Sequence, residues 1–183
     1  MRKVVAYELL SLDGVAESPE RFFEWDDALD ENLGRVIASQ DTVLLGRKSY
    51  DEWSRFWPGP GSEIEPFAPF INGVQKFVFT STPLDGGWAN AAVAGGGLLE
   101  FVTGLKQTSG GDIGVHASIS LTQSLLEAGL VDRLCLVVAP VIQLSGRRLL
   151  ENVAQTRFSL ERSAVSPGGY LMLDYVRFDD RSA

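Results

Sequence analysis

The chain has 183 residues, 45% of them hydrophobic and 22% charged, a balance that supports one packed domain and excludes global disorder. Lys and Arg number 16 against 24 Asp and Glu, a net charge of −8, which argues against non-specific binding to nucleic acid or an anionic membrane. Cys135 is the single cysteine, so a disulfide framework and a cysteine-based zinc site are excluded and no metal centre is expected.

Strand-like and helix-like segments alternate, the pattern of an α/β sheet covered on both faces. The run 4–10 (Val-Val-Ala-Tyr-Glu-Leu-Leu) is β-rich and stops at the turn sequence Ser11-Leu12-Asp13-Gly14. Residues 30–40 carry Leu33, Val36 and Ile37 at helical spacing, with Asp30 placed to cap the first turn. A short strand over 42–45 ends at Gly46, and a second helix runs through Tyr50, Trp53 and Phe56 to the breaker Pro58-Gly59-Pro60-Gly61. The stretch from Gly59 to Gly73 reads as a long loop near a ligand.

Residues 76–80 form the next expected strand, closed by Ser81-Thr82-Pro83, and residues 98–106 a helix striped by Leu98, Phe101, Val102 and Leu105. A strand over 112–116 leads into a helix over 118–128, with Ser118 as N-cap and Gly129 as the stop. The apolar run 134–138 holds Cys135, expected to be buried and inert. Residues 158–165 and 170–178 flank Pro167-Gly168-Gly169 as a terminal hairpin. No stretch reaches the ~20 apolar residues of a membrane span, and the chain reads as cytoplasmic.

Three chemical features fall at strand ends, where open α/β sheets place ligands. Gly46 allows close backbone approach, and Arg47, Lys48 and Ser49 bring two cations and a hydroxyl to a helix start, a combination suited to a phosphate monoester or to a solvated turn. Thr80 and Ser81 supply hydroxyls at another strand end. Gly114-Val115-His116-Ala117-Ser118 runs from strand into helix, where free amides and the Ser118 hydroxyl suit a pyrophosphate.

In this order the segments resemble the dihydrofolate reductase-like superfamily, and most of all the reductase domain of bifunctional riboflavin-biosynthesis proteins. The resemblance rests on Ser11-Leu12-Asp13-Gly14, on Leu-Gly-Arg-Lys-Ser-Tyr at 45–50, and on Lys76 to Pro83. It continues through Leu125 to Asp132, Ala139-Pro140-Val141-Ile142 and Ser145 to Leu150. It implies a single domain over 1–180 with a tail at 181–183. The implied fold is a mostly parallel sheet flanked by helices, with an antiparallel C-terminal hairpin.

The resemblance further implies NADPH as cofactor. Gly46, Arg47, Lys48 and Ser49 would hold its 2′-phosphate, Thr80 and Ser81 would border the adenine-ribose end, and Gly114, Val115, His116, Ala117 and Ser118 would receive the pyrophosphate. It implies a homodimer as well. The family pattern often has glycine where this chain has His116 and Ala117, and Ala117 adds a Cβ at the closest backbone approach.

Hydride transfer to a ring needs a proton or an orienting acceptor. Asp13 matches the aspartate of the riboflavin branch, and it also fits a turn former. Asp30 matches the helix carboxylate with which dihydrofolate reductases hold their pteridine, and it fits a helix cap still better. Trp25 and Tyr50 are the aromatic candidates for stacking on a planar ring. The expected activity is NADPH-dependent reduction of a small pterin-like or aminopyrimidine-like heterocycle. The alternatives are the riboflavin-pathway phosphoribosylaminouracil reductase and a nucleotide-binding protein with little turnover.

Overall fold

The computed structural model describes residues 1–85 and 87–178; the expected tail at 181–183 lies outside the described residues. Eight strands form one sheet: β1 (Val4–Leu10), β2 (Gln40–Gly46), β3 (Gln75–Phe79), β4 (Ala91–Val93), β5 (Asp112–His116), β6 (Arg133–Val138), β7 (Phe158–Val165) and β8 (Leu171–Arg177). Their order is β4-β3-β2-β5-β1-β6-β8-β7. All pairs are parallel except β6 with β8 and β7 with β8. The mostly parallel sheet and its antiparallel end are as the sequence suggested.

Alternation along β1 divides the core. Val5 and Tyr7 pack with helices α1 (Asp27–Ile37), α2 (Arg47–Phe56) and α3 (Ala68–Gly73) on one face. Val4, Ala6 and Leu10 pack with α4 (Leu98–Gln107) and α5 (Ile119–Glu127) on the other. Every helix turns its apolar stripe inward, as Leu29, Leu33 and Val36 do on α1. No helix among the described residues is long and apolar enough to cross a membrane.

The α5 stop is a Schellman turn: Leu130 N–H donates to Leu125 C=O at 2.8 Å and Gly129 N–H to Leu126 C=O at 3.0 Å, with Gly129 at φ 66°. Asp132, two residues on, accepts from Val4 N–H at 2.7 Å and pairs with the buried Lys106. The run Gly129-Leu130-Val131-Asp132 therefore ties α4, β1 and β6 together at the N-terminal edge of the sheet. Its chemistry is scaffold chemistry.

Two elements depart from the sequence reading. Helix α1 begins three residues before Asp30, and Asp26 is its cap, accepting from Leu29 N–H at 2.9 Å. Asp26 also takes Gly168 N–H at 3.3 Å, which fastens the helix start to the β7–β8 turn. The expected loop over 59–73 contains α3, whose end is held by Lys76: this fully buried ammonium donates to the carbonyls of Ile71 and Val74 at 2.8 Å each. Lys76 also lies over the Trp88 ring, 4.6 Å from its centre.

The cap assignment is open to direct measurement. Asp26→Ala should lower unfolding free energy by about 1 kcal/mol in denaturant titration, and Asp30→Asn by only a few tenths. The reverse order would return the cap to Asp30.

Candidate active site

A cleft of about 710 Å³ lies across the C-terminal ends of β1, β2 and β5. Its floor is Tyr7, Glu8 and Leu9 of β1, Gly46 at the end of β2, and His116 at the end of β5. The strand ends become helix starts here, and three hydrogen bonds join them. Gly46 N–H donates to Ser118 Oγ at 3.0 Å, Ser118 and Ser49 hydroxyls meet at 3.0 Å, and Ser49 O–H donates to Ala117 C=O at 2.7 Å. Since the Ser49 proton is committed to Ala117, the Ser118 hydroxyl donates to Ser49. Ser118 thus sits at the N-cap position of α5 without a side-chain cap bond.

Helices α2 and α5 therefore start side by side at the cleft, both without a side-chain cap and without an acidic residue in the first turn. Their free amides and dipoles favour an anion. Lys48 is 72% exposed and lies 3.4 Å from Glu17. Arg147 lines the same region and donates to Ser120 Oγ at 3.0 Å. Arg47 is braced by Asp51 through Nε contacts of 2.8 and 2.9 Å, while Nη1 reaches Thr82 and the Pro83 carbonyl. This donor set suits the phosphates of a dinucleotide.

Not every expected cofactor contact faces the cleft. Thr80 is engaged in its own turn, accepting Thr82 N–H at 3.2 Å, and neither Thr80 nor Ser81 is in the cleft wall. Gly114 and Val115 lie behind it. A Cβ on Gly114 would come 2.0 Å from Gln40 Oε1, so its absence makes room for the buried pair of Gln40 Oε1 and His116 Nε2 at 2.8 Å. Gln40 Nε2 donates to Val36 C=O, so its oxygen accepts from His116 Nε2–H. Ala117 lines the cleft at φ 52°, a left-handed conformation that costs a residue with a Cβ roughly 1 kcal/mol.

The two carboxylates separate. Asp13 is not in the cleft wall: it accepts Ser11 O–H at 2.7 Å, Gln143 N–H at 2.9 Å and Leu144 N–H at 3.1 Å. These bonds, Ser11 foremost, hold its carboxyl down at about 2. Asp13 anchors the 143–148 loop, with Arg148 3.4 Å away. Asp30 lines the cleft, and burial and then the charge of Glu65 raise its pKa. That favours a carboxyl able to keep or deliver a proton.

The aromatic candidates also redistribute. Tyr50 is buried behind the cleft, its hydroxyl donating to Asp85 C=O at 3.2 Å. Trp25 lines the cleft, and so do Trp53, Trp57 and Phe67.

Glu8 is the residue that reading passed over. It is 3% exposed, receives Thr122 O–H at 2.6 Å, and burial pushes its carboxyl up to about 7. A lone carboxylate inside the apolar run 4–10 was its signal.

A model of the RibD C-terminal domain matches residues 2–172. The chain belongs to the RibD C-terminal domain family. The uncharacterized protein YyaP of Bacillus subtilis is 30% identical over 161 residues, covering 84% of this chain and 83% of that protein. Among solved structures, a dihydrofolate reductase from Enterococcus faecalis complexed with NADP(H) superposes with a TM-score of 0.66 at 15% identity, covering 97% of each chain. A diaminohydroxyphosphoribosylaminopyrimidine deaminase/reductase from Thermotoga maritima gives 0.69 at 13% identity, over 97% of this chain and 57% of that one. The fold is thus shared with these two structures, and the cleft lies where its strand ends open.

Glu8 and His116 shift in opposite senses, since burial drives His116 down to about 4. Between pH 4.5 and 6.5 the folded chain keeps a Glu8 proton that the unfolded chain has lost, and lacks a His116 proton that the unfolded chain has gained. The two effects on stability cancel. Glu8→Gln removes only the first, so relative to wild type it should lose on the order of 2 kcal/mol between pH 7.5 and 5. Parallel pH curves for the two proteins would refute this pairing.

Proposed function

We propose that this protein is an NADPH-dependent reductase of a small planar heterocycle. The observation that carries the reading is the pair of uncapped helix starts held together by Ser49 and Ser118, with Asp30 on the facing wall. Bound there, NADPH supplies a hydride. The amides of α2 and α5 take the pyrophosphate, and Arg47 with Lys48 takes the 2′-phosphate. Asp30 orients the ring or passes it a proton, aided by the raised pKa that burial and Glu65 produce. Trp25, Trp53 and Phe67 exclude water and offer flat apolar surface.

A second reading, nucleotide binding with little turnover, draws on Ala117, whose Cβ and left-handed backbone stand in the cleft wall. Fluorescence titration followed by an NADPH-oxidation assay over a heterocycle panel separates the two. Binding with oxidation of at least one compound supports the reductase, binding without oxidation across the panel favours the second reading, and no binding sinks both. NADPH should bind at least tenfold tighter than NADH, and Arg47→Ala should remove most of that difference.

The carboxylates give a sharper contrast. Asp30→Asn should lower turnover at least tenfold, and Asp13→Asn should leave it within about threefold, because its carboxylate serves a loop. The opposite ranking would restore Asp13 to the catalytic role.

We further propose a homodimer formed through the C-terminal strands, where β7 is the free edge of the sheet and Leu160 and Val165 are exposed. Light scattering at micromolar concentration should give twice the chain mass of 19.9 kDa. A monomer mass would overturn the proposal.

A further inference from the structure

Glu8 is a titratable group in the cleft floor that the proposed reaction leaves unused. Alternation along β1 places it on the face of Ala6 and Leu10, over the layer that holds Val115, Leu121 and Leu125. Its register partner on β6 is Leu136. His116 turns to the other layer, against Tyr7 and Phe67. Helix α5 brings no charged side chain before Glu127. The charges of the bordering segments are engaged elsewhere: Arg47 with Asp51, Lys48 with Glu17, Arg147 with Ser120 and Arg148 with Asp13. Glu17 and Glu20 are the acids of the 16–20 segment in the cleft wall. No lysine or arginine among the described residues pairs with Glu8, so a carboxylate there stands alone in apolar surroundings.

The hydrogen bond to Thr122 decides where a proton on Glu8 sits. Thr122 is fully buried, and Glu8 Oε1, at 2.6 Å, is the acceptor of its hydroxyl among the described residues. Oε1 therefore accepts in either ionisation state, and the proton of the neutral acid falls on Oε2. Oε2 has no donor among the described residues and is not sealed from the cleft. Thr122 also closes the first turn of α5, its N–H donating to Ser118 C=O at 2.9 Å. It lies one turn, about 5.4 Å along the axis, from the helix start. The carboxyl thus stands beside the turn whose amides at 119–121 are free to bind an anion.

The two states of Glu8 act on such an anion in opposite senses. The ionised group sets a like charge beside it at low dielectric, and the neutral group removes that charge and offers an O–H donor. Burial pushes the carboxyl up to about 7, against the pull of the Thr122 bond, so both states are within reach near neutral pH. We propose that Glu8 is a binding residue of the cleft: as the neutral acid it donates through Oε2 to a pyrophosphate diester seated on the α5 start, and binding takes up a proton there. The inference rests on reading the paired helix starts as the pyrophosphate site of a dinucleotide.

The test measures ADP-ribose binding by calorimetry between pH 6 and 8.5. Its pyrophosphate diester keeps its charge over that range, so a pH dependence belongs to the protein. The wild-type Kd should rise about tenfold from pH 6 to 8.5. Glu8→Gln copies the neutral acid, with an oxygen for Thr122 and an N–H for the cleft. It should hold the tight pH 6 value throughout and so bind about tenfold better than wild type at pH 8.5. A merely structural Glu8 would give weaker or unchanged binding instead. Thr122→Val removes the donor that supports the ionised form, and should move the midpoint of the binding curve to higher pH.

A flat wild-type curve, an equally steep one in Glu8→Gln, a Thr122→Val midpoint unmoved or lowered, or no ADP-ribose binding at all would overturn the role of Glu8. Failure of the reductase reading looks different. There ADP-ribose would follow the expected curves while NADPH was bound and left unoxidised across the heterocycle panel. Oxidation of NADPH alongside a flat ADP-ribose curve would remove Glu8 and leave the reductase.

Discussion

The hydroxyl of Ser118 is the constraint on which the cleft depends. Parallel strands β2 and β5 are neighbours, and each ends by turning into a helix. Two helix starts side by side present two sets of free amides and two positive dipole ends, which repel one another unless something bridges them. Ser118 accepts from Gly46 N–H and donates to Ser49, and Ser49 in turn donates to the Ala117 carbonyl. That chain of bonds runs from one turn to the other and back, fixing both at hydrogen-bond distance. With the turns locked, α1 and the aromatic wall have a fixed surface to face.

Ser118 also shows how one residue type can answer to two local rules. Serine before a helix ordinarily spends its oxygen on the first free amides of that helix. Here the oxygen goes across to Gly46, so the α5 amides remain available to solvent or ligand. A cap bond given up is a binding surface gained. The polar residues of the scaffold follow the opposite logic at the far edge of the sheet, where Asp132 is used up by Val4 and Lys106.

The main strands were legible because their apolar runs are bounded by turn residues, and so were α4, α5 and the hairpin. The start of α1 was not, since Asp26, Asp27 and Asp30 all suit the first turn of a helix and only tertiary contact with Gly168 favours Asp26. Helix α3 escaped because what holds its end is Lys76, a strand residue that reads in sequence as a solvated cation. The surroundings of Asp13 were unreadable for a related reason. Its partners Gln143 and Leu144 lie some 130 residues away, and nothing local distinguishes a loop anchor from a proton donor. The helix starts at 46–49 and 114–118 were readable as motifs, and the cleft wall assembled from α1, α2 and a loop was not.

The position of β1 has a consequence for how the chain is made. The first strand of the sheet in chain order occupies its middle, flanked by β5 and β6, and Val4 pairs with Ile113 while Val5 pairs with Arg133. Neither neighbour exists until well over half the chain has been synthesised. Strands β2 and β3 are neighbours in sequence as well as in space and can meet early, yet they must keep the β2 edge open for β5. The apolar run 4–10 therefore waits unpaired, and the sheet closes around it in a late, long-range step of the sort that slows folding. A nascent chain of this design depends on keeping the run 4–10 out of other partners until β5 and β6 have emerged.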